Sequence, residues 1–551
     1  MEWKLKLKAL LHDPPYKMLI FENGEKERVN KILSKVIHKD QDDHNLHEIW
    51  AEDLLNYVFF DECIKDNNIE LADKIASAQS RIIVKPQFRK EEQEREKNFE
   101  IKSTVNFSEV EFIDIFSEEK NKCETPDPIK VKDLFTKLGN LNFLNEEERA
   151  KLIFLFLWRF YPEIFPEITK HPADSRAPNH SIYDHLVQTS AVFSALPNIS
   201  FLLFTIGPVQ SFIVKARKTS DLWAGSYLLS YLTWESMKPI IEKYGPDTVI
   251  YPNLLEQPLV DKHLFEIFKG SSLESLEEEK FKEWITKWQS KSKELKESLV
   301  IANMPNRFLA IVPMDKEIGK GCEDNFKEKL KRLSDKVYKT VKNYDRKKEY
   351  PSNLDLRIKI EKQLFSYFQV YWVMMPWGKE TNDILKEYKL IIGETEVCQT
   401  ISEIINHPYY KYSNADVGSA YSLLLELTEK LIGMRKSVRE FAQLEQPDEK
   451  CHLCGEFEVL NLDWDKLKKE KPGLIKENER LCGVCFTKRL FPQILKDELN
   501  LSDEIYFPST SEIASIGEKR RLNNEVKKEF KVRFDEFKSK FKIPLSASVP
   551  K

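Results

Sequence analysis

The sequence lacks any apolar run long enough to cross a membrane. Its longest run lies near Leu152–Trp158 and is followed by Arg159, whereas a transmembrane helix needs about 20 mainly apolar residues. A secretory signal is not predicted either, because Lys4, Lys6 and Lys8 interrupt the apolar residues at the start. We therefore predict a cytoplasmic protein with no membrane partner.

The sequence also lacks an excess of charge of either sign. Lysine and arginine number 86 and aspartate and glutamate 90, so the formal net charge is −4 in 551 residues. This balance excludes a protein that binds nucleic acid through overall basicity, and any such contact must come from local patches. Eight cysteines in a cytoplasmic chain favour metal ligands or buried thiols over disulfides.

Alternating strand and helix patterns occupy the middle of the chain. Phe201–Ile206 is a short apolar run that ends at Gly-Pro, which predicts a buried strand, and Thr219 or Ser220 can cap the helix that follows. The other predicted elements are strands Thr248–Asn253, Arg307–Pro313 and Tyr367–Pro376, the helix Asn325–Tyr344, and a helical insertion over Leu264–Val300. The order β-α-β-β-α-β predicts a ferredoxin-like fold, which polymerase palms also have.

Histidine is concentrated in the first third of the chain, where the pattern is helical. Seven of the ten histidines lie there: His12, His38, His44, His47, His171, His180 and His185. Pairs of histidine and aspartate occur at 12–13 and 184–185, and Asp73 lies in another helical segment. Imidazole and carboxylate together suit Mn, Fe, Ni or Zn, which activate water for attack on phosphorus. The alternative is that these residues cap helices or lie on the surface, and the pattern leaves both open.

Four cysteines form two Cys-x-x-Cys pairs, Cys451 with Cys454 and Cys482 with Cys485. This spacing predicts a tetrahedral thiolate site for structural zinc. Because four sulfurs leave no position open for water, such a site would stabilise the fold rather than catalyse a reaction. The alternative is four reduced thiols that bind nothing.

A short basic connection, Lys215 to Lys218, follows the first predicted strand. Lys215, Arg217 and Lys218 are able to contact phosphates there. The alternative, which we favour from the sequence, is that these side chains are solvated. No nucleotide-binding residue is assigned.

These segments together resemble the large subunit of type III-B CRISPR effector complexes, the Cmr-type large subunit. The resemblance runs over nearly the whole chain and is most specific at the His-Asp opening and in the block from GPVQ to LLSYL. It is carried by LHDPPYK (11–17), ADKIAS (72–77), PADSRAPNHSIYDHLVQTSA (172–191), IGPVQSFIVKARKTSDLWAGSYLLSYL (206–232), MPNRFLAIVP (304–313), the two cysteine pairs, and FPSTSEIA (507–514).

The resemblance implies an α+β multidomain protein. Its expected domains are a helical HD-type nuclease domain at 1–197, a ferredoxin-like first palm with a helical insertion at 198–378, and a helical zinc-knuckle domain at 379–551. It also implies other Cmr subunits, CRISPR RNA (crRNA), target RNA and single-stranded DNA as partners.

The resemblance further implies a metal-dependent nuclease that cleaves single-stranded DNA. His12, Asp13 and Asp73 match the catalytic positions, and His47 and His185 are expected to complete the ligands of an ion such as Mn or Ni. The assignment of His47 competes with the nearby His44.

The sequence departs from this family at the cyclase signature. In the family, paired palms bind ATP and make cyclic oligoadenylates, and the second palm carries Gly-Gly-Asp-Asp, whose carboxylates hold the metals. This sequence contains no Gly-Gly pair, and we expect it to end about where that palm would begin. A truncated chain, a split subunit and a variant that has lost the activity would each explain this.

We therefore expect cyclic oligoadenylate synthesis only if a separate palm-bearing polypeptide is supplied. One alternative function is a catalytically silent scaffold that binds other Cmr subunits and crRNA. Another is a free-standing HD phosphohydrolase that acts on nucleotides, which the first 195 or so residues would allow and the later regions do not suit.

Overall fold

The described part of the chain falls into two compact units. A computed structural model describes residues 2–17, 46–59, 66–81, 111–113, 118, 120–122, 124–173, 179–346, 355–378, 381–406, 418–438, 444–476, 478–501, 505, 507, 513–514, 532–533 and 536. Unit 1 comprises Met1–Gly207, Ser230–Lys329 and Gln369–Gln443, and unit 2 comprises Pro208–Leu229, Leu330–Phe368 and Leu444–Lys551. The helix-rich mixture with one larger sheet confirms the α+β class. The three domain boundaries stay predictions.

The first part of unit 1 is helical. Its helices are α1 (Trp3–Leu10), α2 (Leu46–Val58), α3 (Asn67–Arg81), α4 (Pro128–Gly139), α5 (Glu146–Ile164) and α6 (Ile182–Ala195). Strands β1 (Glu111–Ile113) and β2 (Lys120–Lys122) form an antiparallel pair. Side-chain caps fix three helix starts: Asp127 accepts from Ile129 N–H, Asn145 from Glu148 N–H, and Ser181 from Asp184 N–H.

Apolar faces bring these helices together. Helix α6 packs against both α1 and α3, and α1 also packs against α5. The apolar run inside α5 is buried on all sides, with Phe154, Phe156 and Phe160 each 0% exposed, so it forms a core helix. Among the described residues, no helix combines the length and apolar character needed to span a membrane.

Unit 1 also contains a four-stranded antiparallel sheet. Its strands are β3 (Ile199–Gly207), β4 (Val249–Tyr251), β5 (Arg307–Pro313) and β6 (Gln369–Pro376), in the order β4-β5-β3-β6. The four predicted strands are thus present. Strand β3 pairs with β5 and β6, and Leu202 lies opposite both Ala310 and Met374. Its buried position explains why it reads as a continuous apolar run.

Two long helices complete the β-α-β-β-α-β order. Thr219–Tyr244 connects β3 to β4, and Lys316–Val341 connects β5 to β6. The second begins at Lys316 rather than at the predicted Asn325, because glycine in its first turns hid the helical pattern. A Cβ atom at Gly319 would lie 2.5 Å from the ring of Trp372, so glycine is needed there for close packing.

The remaining helices belong to both units. Those of unit 1 are Pro258–Phe268, Glu279–Ser290, Lys293–Leu299, Thr381–Ile391, Glu396–Asn406 and Tyr421–Ser437, and those of unit 2 are Gln210–Val214, Leu356–Tyr367, Trp464–Glu470 and Gly483–Leu499. Within the insertion, Phe281, Trp284 and Trp288 are buried, which confirms that they form a packing face. The ring of Trp284 lies 5.2 Å from that of Phe160 in α5.

A buried ion pair connects α1 to the turn before β4. Lys6 Nζ lies 2.5 Å from Asp247 Oδ2, and both side chains are 0% exposed. The same ammonium donates to Ser194 Oγ in α6 at 2.6 Å and lies 4.7 Å from the centre of the Phe154 ring. Charges withdrawn from water in this way are stable only as a pair.

We predict that Lys6→Met lowers the free energy of unfolding by about 3–5 kcal/mol, because Asp247 is left as an unpaired buried charge. The double variant Lys6→Met/Asp247→Leu should recover most of this loss. Lys4→Met on the same helix should cost at most about 1 kcal/mol, since its partner Glu146 is 71% exposed. Thermal and urea unfolding of the four proteins measure these differences, and a double variant less stable than Lys6→Met would contradict the explanation.

Candidate metal centres

The first candidate centre lies where α1 ends, next to α6. The Nε2 atom of His12 is 3.5 Å from Asp13 Oδ2 and 3.2 Å from Nε2 of His185. One ligand atom from each of these three residues lies within 4.8 Å of the others. Residues separated by more than 170 positions in the chain are therefore adjacent because α1 packs on α6.

Helix α3 contributes Asp73 to the same cluster. Its Oδ1 atom lies 3.1 Å from His185 Nε2 and 3.7 Å from His12 Nε2. It also accepts a hydrogen bond from Ser77 Oγ at 3.2 Å, one turn later on the helix. Ser77 thus orients the carboxylate that α3 presents to the two imidazoles.

Three side chains of the cluster are buried, and the fourth is partly exposed. The side chains of His12, Asp13 and His185 are 8%, 2% and 4% exposed, whereas Asp73 is 38% exposed. Asp73 is therefore the most accessible of the four side chains.

A hydrogen bond orients the ring of His12. Its Nδ1 lies 2.8 Å from the carbonyl oxygen of Ala9, to which an Nδ1–H donates. That tautomer leaves the Nε2 lone pair facing the cluster, which is the arrangement of a metal-binding imidazole.

The carboxylates and the imidazoles of the cluster each stabilise the charged form of the other. Burial disfavours the charged form of His12, but the carboxylates of Asp13 and Asp73 outweigh it and raise the pKa of His12. Burial likewise opposes ionisation of Asp13, yet Lys17 and the two imidazoles hold the pKa of its carboxyl below the usual value. Burial opposes ionisation of Asp73 too, but its interactions with the two imidazoles outweigh it and hold the pKa of Asp73 well below its usual value. Two ionised carboxylates thus face two imidazoles.

This donor set fits a transition-metal ion. Ligand bonds of about 2.1 Å place neighbouring ligand atoms about 3.0 Å apart in an octahedral site and about 3.4 Å apart in a tetrahedral one, and the shortest spacings here are 3.1 and 3.2 Å. Mixed nitrogen and oxygen donors suit Mn, Fe, Ni or Zn. The structure brings together four of the five predicted ligands, and their role as ligands stays a prediction. The side chain of His47, like the whole of His44, lies outside the described residues.

Two residues of the site were not singled out from the sequence. Lys17 Nζ lies 2.5 Å from Asp13 Oδ2, and Ser77 contacts Asp73. The Ser77 contact joins residues four positions apart on helix α3, which is the signal that would have found it, whereas Lys17 contacts Asp13 across a turn. Asp184, which the sequence pairs with His185, instead accepts from Ser181 Oγ at 2.7 Å in the cap of α6. Its alternative role as a helix cap is therefore the observed one.

The second candidate centre is the four-cysteine cluster of unit 2. One sulfur atom from each of Cys451, Cys454, Cys482 and Cys485 lies within 4.8 Å of the others. Tetrahedral Zn–S bonds of about 2.3 Å place sulfurs about 3.8 Å apart, and the Cys454 and Cys482 sulfurs are 3.7 Å apart. The site is thus compatible with structural zinc.

Local backbone geometry positions these sulfurs. Gly455 follows the first pair with a φ of +69°, a left-handed conformation that favours glycine, and its N–H donates to Cys451 O at 2.9 Å. Cys482 caps the helix Gly483–Leu499, and its sulfur accepts from Cys485 N–H at 3.4 Å. Both ring nitrogens of His452 have other partners, at 2.7 Å each, in Asn478 O and Glu449 Oε1.

The hydrogen bond with Cys451 is foremost in lowering the pKa of Cys454, whereas burial and the neighbouring sulfurs raise the pKa of Cys482 well above its usual value. A divalent cation would stabilise all four thiolates together.

The basic connection after β3 contacts the cysteine-bearing segment of unit 2. Lys215 pairs with Glu456, Arg217 donates to His452 O at 2.6 Å, and Lys218 donates to Gly473 O at 2.5 Å. These contacts account for the basic residues without phosphate. They also correct the expectation that the side chains are merely solvated.

A buried arginine strengthens this connection. Arg489 is bidentate with Asp221, at 2.6 and 2.9 Å, and with Glu479, at 2.8 and 3.1 Å. Side chains of all three residues are at most 2% exposed. Asp221 also accepts from the N–H groups of Arg217 and Lys218, at 3.1 and 3.2 Å, so Arg489 and the basic connection are parts of one polar network.

The fold and the two clusters define a multidomain α+β protein with a His-Asp cluster and a four-cysteine cluster. A family model described as "CRISPR-associated protein Cmr2, N-terminal" matches residues 201–335. The chain is 26% identical to the CRISPR system Cmr subunit Cmr2 of Pyrococcus furiosus, over 93% of this chain and 58% of that protein. It is 27% identical to the CMR subunit Cmr2 of Saccharolobus solfataricus, over 93% of this chain and 53% of that protein.

Solved structures show a similar fold. The apo state of a type III-B Cmr-beta complex contains a chain with a TM-score of 0.59 and 21% identity, with 95% of this chain and 55% of that chain covered. A type III-B Cmr-beta complex bound to cognate target RNA contains a chain with a TM-score of 0.55 and 21% identity, with 94% of this chain and 53% of that chain covered. The solved structures show that the fold is similar, and the family model and the two relatives show that this chain is similar to Cmr2 proteins. This chain spans a little over half the length of the curated relatives it matches.

We predict that the cysteine cluster binds one zinc ion and that Cys454→Ala removes it, with a lower temperature of unfolding. The three remaining sulfurs leave the ion open to water and chelators. Cys322→Ala is the matched control, because Cys322 is a buried free cysteine of unit 1. Elemental analysis after chelator treatment measures the zinc, and equal zinc content in both variants would count against the site.

Proposed function

We propose that this chain is the Cmr2-type large-subunit polypeptide of a type III-B CRISPR RNA-guided effector in the cytoplasm, and that its His-Asp cluster cleaves single-stranded DNA. The observation that supports the nuclease is the convergence of His12, Asp13 and His185 within 4.8 Å. The match over 93% of the chain to two Cmr2 proteins supports the assembly.

The residues of the cluster would have different roles in hydrolysis. His12, Asp13, Asp73 and His185 would hold the ion, with His47 as a further candidate ligand. When bound, a divalent transition metal such as Mn or Ni supplies activated water at neutral pH. Burial of Asp13 and both imidazoles excludes bulk water from three ligands, and Asp73 lies where the phosphodiester and the attacking water enter. The preference for single strands rests on the family resemblance.

The proposed partners follow from the relatives. Other Cmr subunits and crRNA belong to the assembly, and target RNA is proposed because a structural relative is a Cmr-beta complex bound to it. ATP binding and cyclic oligoadenylate synthesis are proposed only together with a second palm that carries Gly-Gly-Asp-Asp. In unit 2, zinc at the cysteine cluster would keep the basic connection and the helix after Cys482 in place.

We predict that the double variant His12→Ala/Asp13→Ala loses more than about a hundredfold of the manganese-dependent cleavage of labelled single-stranded DNA. Loss of two ligands should exceed the 10–100-fold effects that are typical of outer-shell partners. The assay uses the complex assembled with crRNA and target RNA. His452→Ala is the control, since its ring contacts Glu449 and Asn478 instead.

Equal cleavage by the double variant and the wild type would assign the nuclease to another protein. Absence of cleavage even by the assembled wild type would leave the scaffold function, in which the chain binds other Cmr subunits and crRNA without catalysis. Turnover of free nucleotides in the absence of nucleic acid would instead favour the phosphohydrolase.

A further inference from the structure

One charged side chain at the His-Asp cluster has no part in the function proposed above. Lys17 Nζ lies 2.5 Å from Asp13 Oδ2, the oxygen that is also within 4 Å of Nε2 of both His12 and His185. The side chain of Asp13 is 2% exposed, whereas that of Lys17 is 20% exposed. The ammonium therefore reaches a buried carboxylate from a partly solvated position.

The backbone of Lys17 is held by the turn that follows the His-Asp pair. Its N–H donates to Pro14 O at 3.0 Å, and both Pro14 and Pro15 are buried with the restricted φ of proline. Tyr16 is 1% exposed, and its ring centre lies 5.5 Å from that of Trp50 in α2. Because the turn is anchored, Lys17 changes its partner only by moving its side chain.

The ammonium of Lys17 and a bound metal ion would compete for the same oxygen of Asp13. This atom is 3.5 Å from His12 Nε2 and 3.8 Å from His185 Nε2, so an ion held by the imidazoles needs it as well. Repulsion between an ammonium and a divalent ion about 5 Å apart weakens ion binding about tenfold even at the dielectric constant of water.

Resting on the proposed nuclease function, we propose that Lys17 has two roles at this centre. It is the counter-cation of Asp13 in the metal-free cluster, and it is a catalytic residue that contacts a phosphate oxygen of single-stranded DNA once an ion takes its place. The partly exposed ammonium of Lys17 lies next to the ligand Asp13, where a phosphate bound to the ion would meet it. The positive charge stabilises the negative charge that develops on the phosphoryl oxygens in the transition state. Lys17 thus lowers metal affinity and raises the rate of cleavage.

Manganese affinity tests the first role without any nuclease assay. Electron paramagnetic resonance of free Mn²⁺ measures binding to the wild-type chain, Lys17→Met, Lys17→Arg and Lys74→Met. Lys17→Met should bind manganese about tenfold more tightly, and Lys17→Arg, which keeps the charge, should match the wild type. Lys74→Met is the matched control, because Lys74 adjoins Asp73 in sequence but pairs with Glu70 at 2.6 Å.

Stability and cleavage provide the second set of measurements. In EDTA, Lys17→Met should unfold at a lower temperature than the wild type. Mn²⁺ should raise the unfolding temperature of Lys17→Met by more than it raises that of the wild type. At saturating Mn²⁺ in the assembled complex, Lys17→Met should lose about a hundredfold in kcat, and Lys17→Arg should recover part of it.

Manganese affinity in Lys17→Met that is unchanged or weaker would overturn the counter-cation role. Tighter affinity together with wild-type kcat would overturn the catalytic role. If no protein cleaves DNA, the wild type included, while Lys17→Met still binds manganese more tightly, the nuclease function fails and the counter-cation role stands.

Discussion

Burial of carboxylate charge next to two imidazoles is the constraint on which the amino-terminal part of unit 1 depends. Asp13 is almost wholly withdrawn from water, and a buried carboxylate is stable only when cations or hydrogen-bond donors surround it. Lys17 supplies a full charge, and the charges of His12 and His185 also favour the ionised carboxylate. The requirement explains why α1, α3 and α6 meet at this point although they are distant in sequence. A polar cluster of this kind, closed except at Asp73, suits cation binding better than it suits stability alone.

Unit 2 also contains buried charged groups that need partners, and there the groups involved are cysteine sulfurs and an arginine. Four cysteine sulfurs lie close enough for a single ion, and four residues later Arg489 neutralises Asp221 and Glu479. The network reaches the basic connection that follows β3, a segment inside the region matched by the Cmr2 family model. A bound zinc ion would therefore affect more than the knuckle itself, because its loss would loosen the backbone that Arg217 contacts.

Much of the fold was predictable from the sequence because local pattern and tertiary environment agree. Strand β3 is buried along nearly its whole length, so an apolar run was a reliable sign of it. The start of the helix Lys316–Val341 was missed because Gly319 accommodates Trp372, a contact that no local pattern reveals. In the site, adjacent histidine and aspartate indicated metal chemistry, but the position of Lys17 depends on a turn anchored by Tyr16. Which histidine completes the centre depends on parts of the chain outside the described residues.

The most direct test of the account is the location of a bound ion. Anomalous diffraction at the manganese edge, from the protein soaked in Mn²⁺, would show where the ion lies. The account predicts a peak about 2.1–2.3 Å from the Nε2 atoms of His12 and His185 and from carboxylate oxygens of Asp13 and Asp73. A manganese peak at another place, with these four side chains unliganded, would contradict it.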